Sequence, residues 1–491
     1  MKKSTVFLLL ISLIASMLCS CDNDNIISPE ETTSPSGFTQ TEGVLNLAYT
    51  KSDTLNPYTT STTANLQILS LVYDGLYKLD KAYEPVPVIA KSSIVSGTTV
   101  NVTLNNVSFS DGTPVTAGDV VKSFDKAKFS TAFSARLENF IGANMSTSNM
   151  VVFTLKNPDP YALSCLTFPI IKGSSSAETP VGSGRYKIEK SGESVYLVVN
   201  SKKSSFNPSI KTIMLVPVRA ADSLESSVEI GNTAFHYNDL ADGTYSRINA
   251  KTVEMGINNL IYLAFNSSSE IFADARIRQA VNLAINRTEI ATTAFQGHAR
   301  ATYTPFNPEW YALASKDLML ITQNVEKASQ LIAESGVDVT SKEVSVLVNS
   351  DNQFKLETAQ FICDYLKLLG FKVILKDYSV DYYKEAINLG SYDLYIGEVK
   401  LPHNMDLSAI LTPDGSIGYG INFESPTAKR YAQLISGNCE LMDFINTFNE
   451  DPPFLPLCFR NAAVSYATSL QNCYGCCDGD VFYDIENWSF K

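Results

Sequence analysis

Apolar and polar positions alternate in short runs through the first half of the chain, and recur at helical spacing through much of the second. Val100–Leu104, Val151–Leu155, Val195–Asn200 and Thr212–Val218 each read as a strand, punctuated by Gly, Pro, Ser and Asn. Between the first two, the stretch from Phe109 to Phe124 predicts a strand end, a tight turn and a capped helix. Asp111-Gly112 supplies a positive-φ turn and Pro114 stiffens its exit. Thr116 is placed to cap the helix with Asp119 three residues on, and Val120, Val121 and Phe124 share one face. Further on, Asp274 caps a helix whose Ile277, Ala280, Val281, Ala284 and Ile285 form a single stripe. Val344–Val348, Leu356–Leu369 and Phe371–Leu375 then spell strand, helix and strand, with Gly370 at the helix end. The pattern is mixed α/β, without an internal repeat.

The amino terminus follows a different logic. Lys2 and Lys3 precede an apolar run from Val6 to Leu18, thirteen residues long. That run suits a secretory signal, because spanning a bilayer takes about 20 apolar residues. Leu18-Cys-Ser-Cys21 resembles a bacterial lipobox, which implies cleavage before Cys21 and a lipid on its sulfur; residues 1–20 are then the signal peptide. Residues 22–43, rich in Asp, Asn, Ser, Thr and Pro, read as a flexible tether carried by Cys21. The remainder, about 450 residues, is too long for one core, so two or three lobes are expected. Losing Lys2 and Lys3 takes the formal charge from −13 to −15, which leaves no electrostatic case for nucleic-acid binding. Nine cysteines are present; setting aside Cys19 and Cys21 leaves seven, so at least one lacks an internal partner. Cys473, Cys476 and Cys477 lie far in sequence from His236, His298 and His403, which favours disulfides or buried thiols over a metal site. Neither a metal nor a cofactor is expected.

Phe109-Ser-Asp-Gly-Thr-Pro-Val-Thr-Ala-Gly-Asp-Val120 closely resembles the "F-x-D-G-x-P-x-T-A-x-D-V" signature of the extracellular solute-binding proteins of the oligopeptide and dipeptide class (family 5). Other landmarks follow in order. Asp53-Thr-Leu-Asn-Pro57 and Leu71-Val-Tyr-Asp-Gly-Leu76 resemble the family's opening, and Pro180-Val-Gly-Ser-Gly-Arg-Tyr-Lys187 its "P-x-G-T-G-P-Y" turn, with Arg185 in place of proline. Phe265-Asn266, Ile277–Arg287, Tyr392-Asp-Leu394 and Pro452–Leu457 complete a likeness running from about Leu45 to about Leu470.

The resemblance implies a two-lobed clamp of the periplasmic-binding-protein type (type II, large peptide-binding subclass) with an inserted third subdomain. Lobe I would comprise 44–58, 178–255 and 441–491, the insertion 59–177, and lobe II 256–440. It also implies that an extended ligand lies between the lobes, its backbone bonded to strand-like segments. Tyr49-Thr50-Lys51-Ser52 corresponds to one wall, where Lys51 can meet a ligand carboxylate or simply face solvent. The opposite wall follows Gly397. Peptide-binding relatives carry "G-W-x-x-D" there, the aspartate reading the peptide's α-ammonium. This chain has Glu398 at the tryptophan position and Leu401 at the aspartate position. Glu398 or Asp406 can substitute; alternatively, Lys400 and His403 suit an acidic or metal-chelating ligand, or all four belong to an exposed loop. Tyr73, Phe265, Asn266 and Tyr419 are further candidates, with core packing as the alternative for the aromatics.

A lipid-anchored receptor handing peptides to an ABC permease and ATPase is the first expectation, the chain acting as a monomer. Non-peptide solutes and a non-transport sensor on the same fold are the alternatives. No enzyme is expected: H-E-x-x-H and G-x-S-x-G are absent from the sequence, and Gly415–Gly420 lacks the spacing of a phosphate loop.

Overall fold

Three sheets organise the protein, a computed structural model that describes residues 43–173, 178–218 and 222–491. In the first, Val44–Tyr49 runs parallel to Thr212–Pro217, which continues antiparallel into Ser194–Val199 and Tyr186–Ser191. The second is an antiparallel meander in the order Ala90–Ser96, Thr99–Leu104, Met150–Leu155, Phe140–Thr147. The third has seven strands, in the order Phe235–Asn238, Phe454–Tyr466, Lys251–Phe265, Leu394–Lys400, Glu343–Asn349, Lys372–Tyr378, with Ala299–Ala301 added on Phe454–Tyr466. The helix Gln353–Leu368 makes the parallel crossover between Glu343–Asn349 and Lys372–Tyr378. The signal, Cys21 and residues 22–42 lie outside the described residues. Among the described residues no helix is long and apolar enough to cross a membrane.

Local chemistry accounts for most element boundaries. Thr99–Leu104 and Met150–Leu155 alternate buried and half-buried along their length, the mark of a sheet with one covered face. Thr116 and Asp119 form the expected reciprocal cap: Asp119 N donates to Thr116 Oγ1 at 3.3 Å and Thr116 N to Asp119 Oδ2 at 2.9 Å. Asp274 caps Ala275–Ala284, and Gly370 closes Gln353–Leu368 with φ +88°. That helix begins three residues before the apolar stripe, because the Asn352 side chain accepts from Lys355 N.

The two long strands, Lys251–Phe265 and Phe454–Tyr466, pair antiparallel and run through three of the four hydrophobic cores. Met255, Ile257, Ala462 and Val464 belong to a core shared with Leu45, Leu71 and Trp488. Ile261, Leu263, Leu455 and Leu457 join the core around Gln353–Leu368. Leu260, Tyr262, Phe454 and Phe459 face a third, with Trp310, Tyr395 and the helix Leu441–Glu450. The fourth core lies under the meander, around Phe124, Phe140 and Phe153. The register of the two strands breaks between Gly256 and Leu260, so Ile257–Asn259 have no partner on Phe454–Tyr466, while Asn259 stays paired with Lys400 on the other side.

The glycines of Pro180–Lys187 have a steric cause. The chain crosses the end of helix Thr63–Val72 there, Gly184 N donates to Val72 O at 2.9 Å, and a Cβ on Gly182 or Gly184 would collide with the Val72 backbone. Arg185, standing where relatives have proline, reaches past this crossing to Phe482 O at 2.6 Å and Asp480 Oδ2 at 2.5 Å, tying it to the C-terminal segment. Gly184→Ala is expected to cost about 1–3 kcal/mol through overpacking, read as a lower urea midpoint with unchanged slope. An unchanged midpoint would contradict the close approach.

Candidate functional site

Tyr49, Lys51 and Ser52 do come together in an open cleft, about 700 Å³ in volume, with Asp53–Asn56, Thr59, Glu178, Thr179, Lys190, Gly192, Glu193 and Val195. Its shape follows from Asp53. This carboxylate accepts from Thr54 N, Ser61 N, Thr62 N and the hydroxyls of Thr60 and Thr62, at 2.6 to 3.0 Å. Burial works against its charge, but those donors hold its acidity well above the ordinary carboxylate range. The loop after the first strand is thereby fixed in one conformation. Thr50 N donates to Asn65 Oδ1 at 2.9 Å and its carbonyl accepts from Asn65 Nδ2 at 3.1 Å, so its main chain is already engaged. Lys51 pairs with Glu193 at 2.7 Å, with 56% and 92% of the two side chains exposed, which contributes little to stability and leaves both accessible.

The remaining candidates lie outside this cleft. Tyr73 is buried and donates to Pro180 O at 2.9 Å, holding the glycine crossing. Phe265 is 2% exposed inside a core, 5.3 Å from the Phe272 ring. Asn266 donates to Tyr392 O at 2.9 Å and Gly390 O at 3.2 Å, a tie between loops. Tyr419 packs half-buried against the third core.

The segment after Gly397 is a strand, Leu394–Lys400, leading into a loop that is buried rather than exposed at Leu401 and His403. Glu398 meets three partners. Oε1 accepts from Arg460 Nη2 at 2.8 Å, Arg460 Nε at 3.1 Å and Asn259 Nδ2 at 2.8 Å, while Oε2 lies 2.6 Å from Lys355 Nζ. Burial pushes its carboxyl up, but the Lys355 and Arg460 charges outweigh that and bring it down to about 2. Lys400 is exposed and reaches the buried Asp478 at 3.4 Å. His403 is 4% exposed, and burial, with Arg136 adding to it, pushes the imidazole down to about 3, so it is neutral at physiological pH. Asp406 Oδ1 accepts from Ser408 N and from Tyr431 Oη at 2.7 Å. The seven cysteines are unpaired, and among the described residues no group of three or more His, Cys, Asp or Glu is placed to hold a metal.

Two residues that the sequence pattern does not single out matter most here. Arg460 is the sole charged side chain in the fully buried strand Phe454–Tyr466, a signal legible in retrospect. Lys355 carries no such mark, since a lysine in the first turn of an amphipathic helix ordinarily faces water. Asp159 is a third: its carboxylate accepts from Tyr161 N and from Asn404 Nδ2, both at 2.8 Å, and so bridges 59–177 to 256–440.

Comparison with known proteins gives this geometry a family. Residues 84–411 match the model of bacterial extracellular solute-binding proteins, family 5 (Middle), and the chain belongs to that family. A Brucella ovis protein whose name places it among ABC transporter peptide-binding proteins is 26% identical over 349 residues, covering 65% of this chain and 64% of that relative. The chain thus spans under two thirds of that relative's length. The fold matches the murein tripeptide-binding protein MppA in its unliganded open form, with a TM-score of 0.76 at 17% identity over 91% of this chain and 97% of that one. It also matches the oligopeptide-binding protein AppA of Bacillus subtilis bound to a nonapeptide, at 0.59 and 21% identity, over 92% and 99% of the two chains. The α/β clamp implied by the sequence motifs is the observed fold.

Burial raises the Asp159 carboxyl to about 6. A folded value above the usual one means that this group favours folding when protonated, and that the benefit is lost as pH rises through about 6. Asp159→Asn is therefore expected to be more stable than wild type at pH 7, by about 1–3 kcal/mol, with the difference fading towards pH 4. Urea unfolding at both pH values measures it; a difference independent of pH would contradict the assignment.

Proposed function

We propose that this chain is the solute-capturing subunit of an ABC importer, taking peptides between two lobes and presenting them to a permease and ATPase. What carries the reading is the family match together with the cleft at Tyr49–Ser52, where the sequence motifs place one ligand wall. Lobe I is drawn from 44–58, 178–255 and 441–491, lobe II from 256–440, and 59–177 is inserted. The irregular crossing at Gly256–Leu260 is the bending point, because there the pairing to Phe454–Tyr466 lapses and the strand is held on one side. Peptides are the proposed cargo because the Brucella ovis relative is named for peptide binding. The capture step needs no bond making. The protein works as a monomer held at the outer face of the cell membrane by the lipid on Cys21.

A ligand that binds only the folded protein raises its stability by about 2.7 kcal/mol at a hundredfold excess over Kd. Thermal-shift measurements on the purified protein should therefore show a rise in Tm with peptide pools and none with sugars or free amino acids, with the peptides recovered intact. Shifts confined to non-peptide solutes would replace the cargo; cleavage products would replace the class. Separately, Cys21→Ser should release a folded protein from membranes in cell fractionation, and its retention there would remove the lipid anchor.

A further inference from the structure

Helix Gln353–Leu368 places Lys355 beside Glu398 at its start. Its other end lies about 18 Å further on, at about 1.5 Å of rise per residue, and borders a separate cavity. This cavity, about 580 Å³ in volume, opens at the surface and shares no lining residue with the cleft at Tyr49–Ser52. Phe361, Tyr365 and Leu368 stand at i, i+4 and i+7, so one stripe of the helix lines it while Ile362 and Leu366 fill the core behind. The Phe361 and Tyr365 rings stack, with centroids 6.2 Å apart and planes 24° from parallel, and Leu368 is 63% exposed. Glu289, on a neighbouring turn, is held twice. Its N–H donates to Asn286 Oδ1 at 3.1 Å, and its Oε2 accepts from Tyr365 Oη at 2.7 Å. Burial and the Glu289 charge both push the Tyr365 hydroxyl up, so it stays protonated and keeps donating. Among the described residues no Lys or Arg pairs with Glu289, and its Oε1 meets no donor. Asp364 also lines the cavity, but Lys367 at 3.0 Å offsets its charge. The C-terminal end of the helix adds negative potential at the same place. The cavity therefore combines an ordered aromatic wall, an apolar rim and one fixed carboxylate without a counter-ion.

We infer that this cavity binds a small organic ammonium ion, with its charge on Glu289 and its apolar body against Phe361 and Leu368. Each lining group serves one part of such a ligand. An ammonium group at Glu289 Oε1 makes a charge-assisted hydrogen bond. The Phe361 ring face attracts the same charge and packs against the hydrocarbon that carries it. Leu368, otherwise left in water, is covered. An anion would be repelled by Glu289 and by the helix end, and a neutral molecule would leave the carboxylate without its ion. The volume suits a ligand of this size. Because the cavity lies apart from the cleft at Tyr49–Ser52, the site goes beyond solute capture there and stands whatever that cleft carries.

The probes are phenethylammonium, phenethyl alcohol and phenylpropionate, which share one body and differ in charge. Each is titrated at neutral pH, by ligand-observed NMR, into the wild-type protein, Glu289→Gln, Phe361→Ala and Asp364→Asn. In wild type the ammonium should bind at least about tenfold more tightly than the alcohol, and the carboxylate more weakly than either. Glu289→Gln should weaken the ammonium by roughly tenfold and leave the alcohol unchanged, since the glutamine carbonyl still accepts from Tyr365. Phe361→Ala should weaken ammonium and alcohol alike, by roughly fivefold, through the lost ring contact. Asp364→Asn should change the ammonium by about threefold at most, because Lys367 already offsets that charge. The phenylalanine variant leaves the Glu289–Tyr365 hydrogen bond in place, so it keeps the test decisive should the glutamine variant fold poorly. Ammonium binding that is the same in wild type, Glu289→Gln and Phe361→Ala puts the ion elsewhere and overturns the inference. Equal binding of all three probes overturns it as well, since the charge is then not read. So does the absence of ammonium binding to wild type at millimolar concentration.

Discussion

The antiparallel pairing of Lys251–Phe265 with Phe454–Tyr466 is the constraint on which the rest depends. One ladder serves three separate cores, so its side chains must satisfy the packing of each in turn, and a slip of one residue would move every one of them to the wrong face. Such a ladder would be rigid if it were regular. It is irregular at one point, Gly256 to Leu260, with a second shift at Ile261–Tyr262. The break divides Met255 and Ile257, which pack with the Leu45–Trp488 core, from Leu260 and Tyr262, which pack with the Trp310 core. The same pair of strands thus carries two differently packed stretches with one irregular passage between them.

Charge is handled differently at the surface and in the interior. Lys51 and Glu193, both largely exposed, lie across the lip of the cleft and keep their hydration. Glu398, Arg460 and Asp478 have given theirs up, and a buried charge is tolerable only where partners replace the lost water. Asp478 receives Asn258 N and Lys400; Glu398 receives Lys355, Arg460 and Asn259. Asn258 and Asn259 both lie where pairing to Phe454–Tyr466 lapses, and they are the ones that satisfy these buried carboxylates. Geometry and electrostatics meet at these two asparagines.

Much of this was legible in the sequence and some was not, for reasons that differ by element. Thr99–Leu104 and Met150–Leu155 announce themselves because one face is wet; the cap at Thr116 does so because its chemistry is local. Phe454–Tyr466 is buried throughout and shows no alternation, so neither its length nor its three-core role can be read from period. Tyr49–Ser52 is marked by the motif that follows it, and Tyr49, Lys51 and Ser52 line an open cleft. Glu398 was likewise placed by a motif, but its partners were invisible: Arg460 lies 62 positions away, and nothing in a linear pattern brings them together. Phe265 and Asn266 matched a family landmark because they pack and tie loops, which a motif does not distinguish from contact with a ligand.

That ambiguity has a physical root worth drawing out for the wall after Gly397. A motif marks positions where the backbone path is demanding, and the demand persists when the chemistry on it changes. Gly397 lies against the Tyr262 ring, leaving no room for a Cβ, so this turn of the strand is held whatever follows. With the path fixed, Glu398 puts a carboxylate in a largely buried position, where it would be costly without partners. Arg460, reaching across the intervening strand Lys251–Phe265, and Lys355 at a helix start supply the compensation. The backbone path is thus held by steric constraint, whereas the charge placed on it is balanced by residues from other elements.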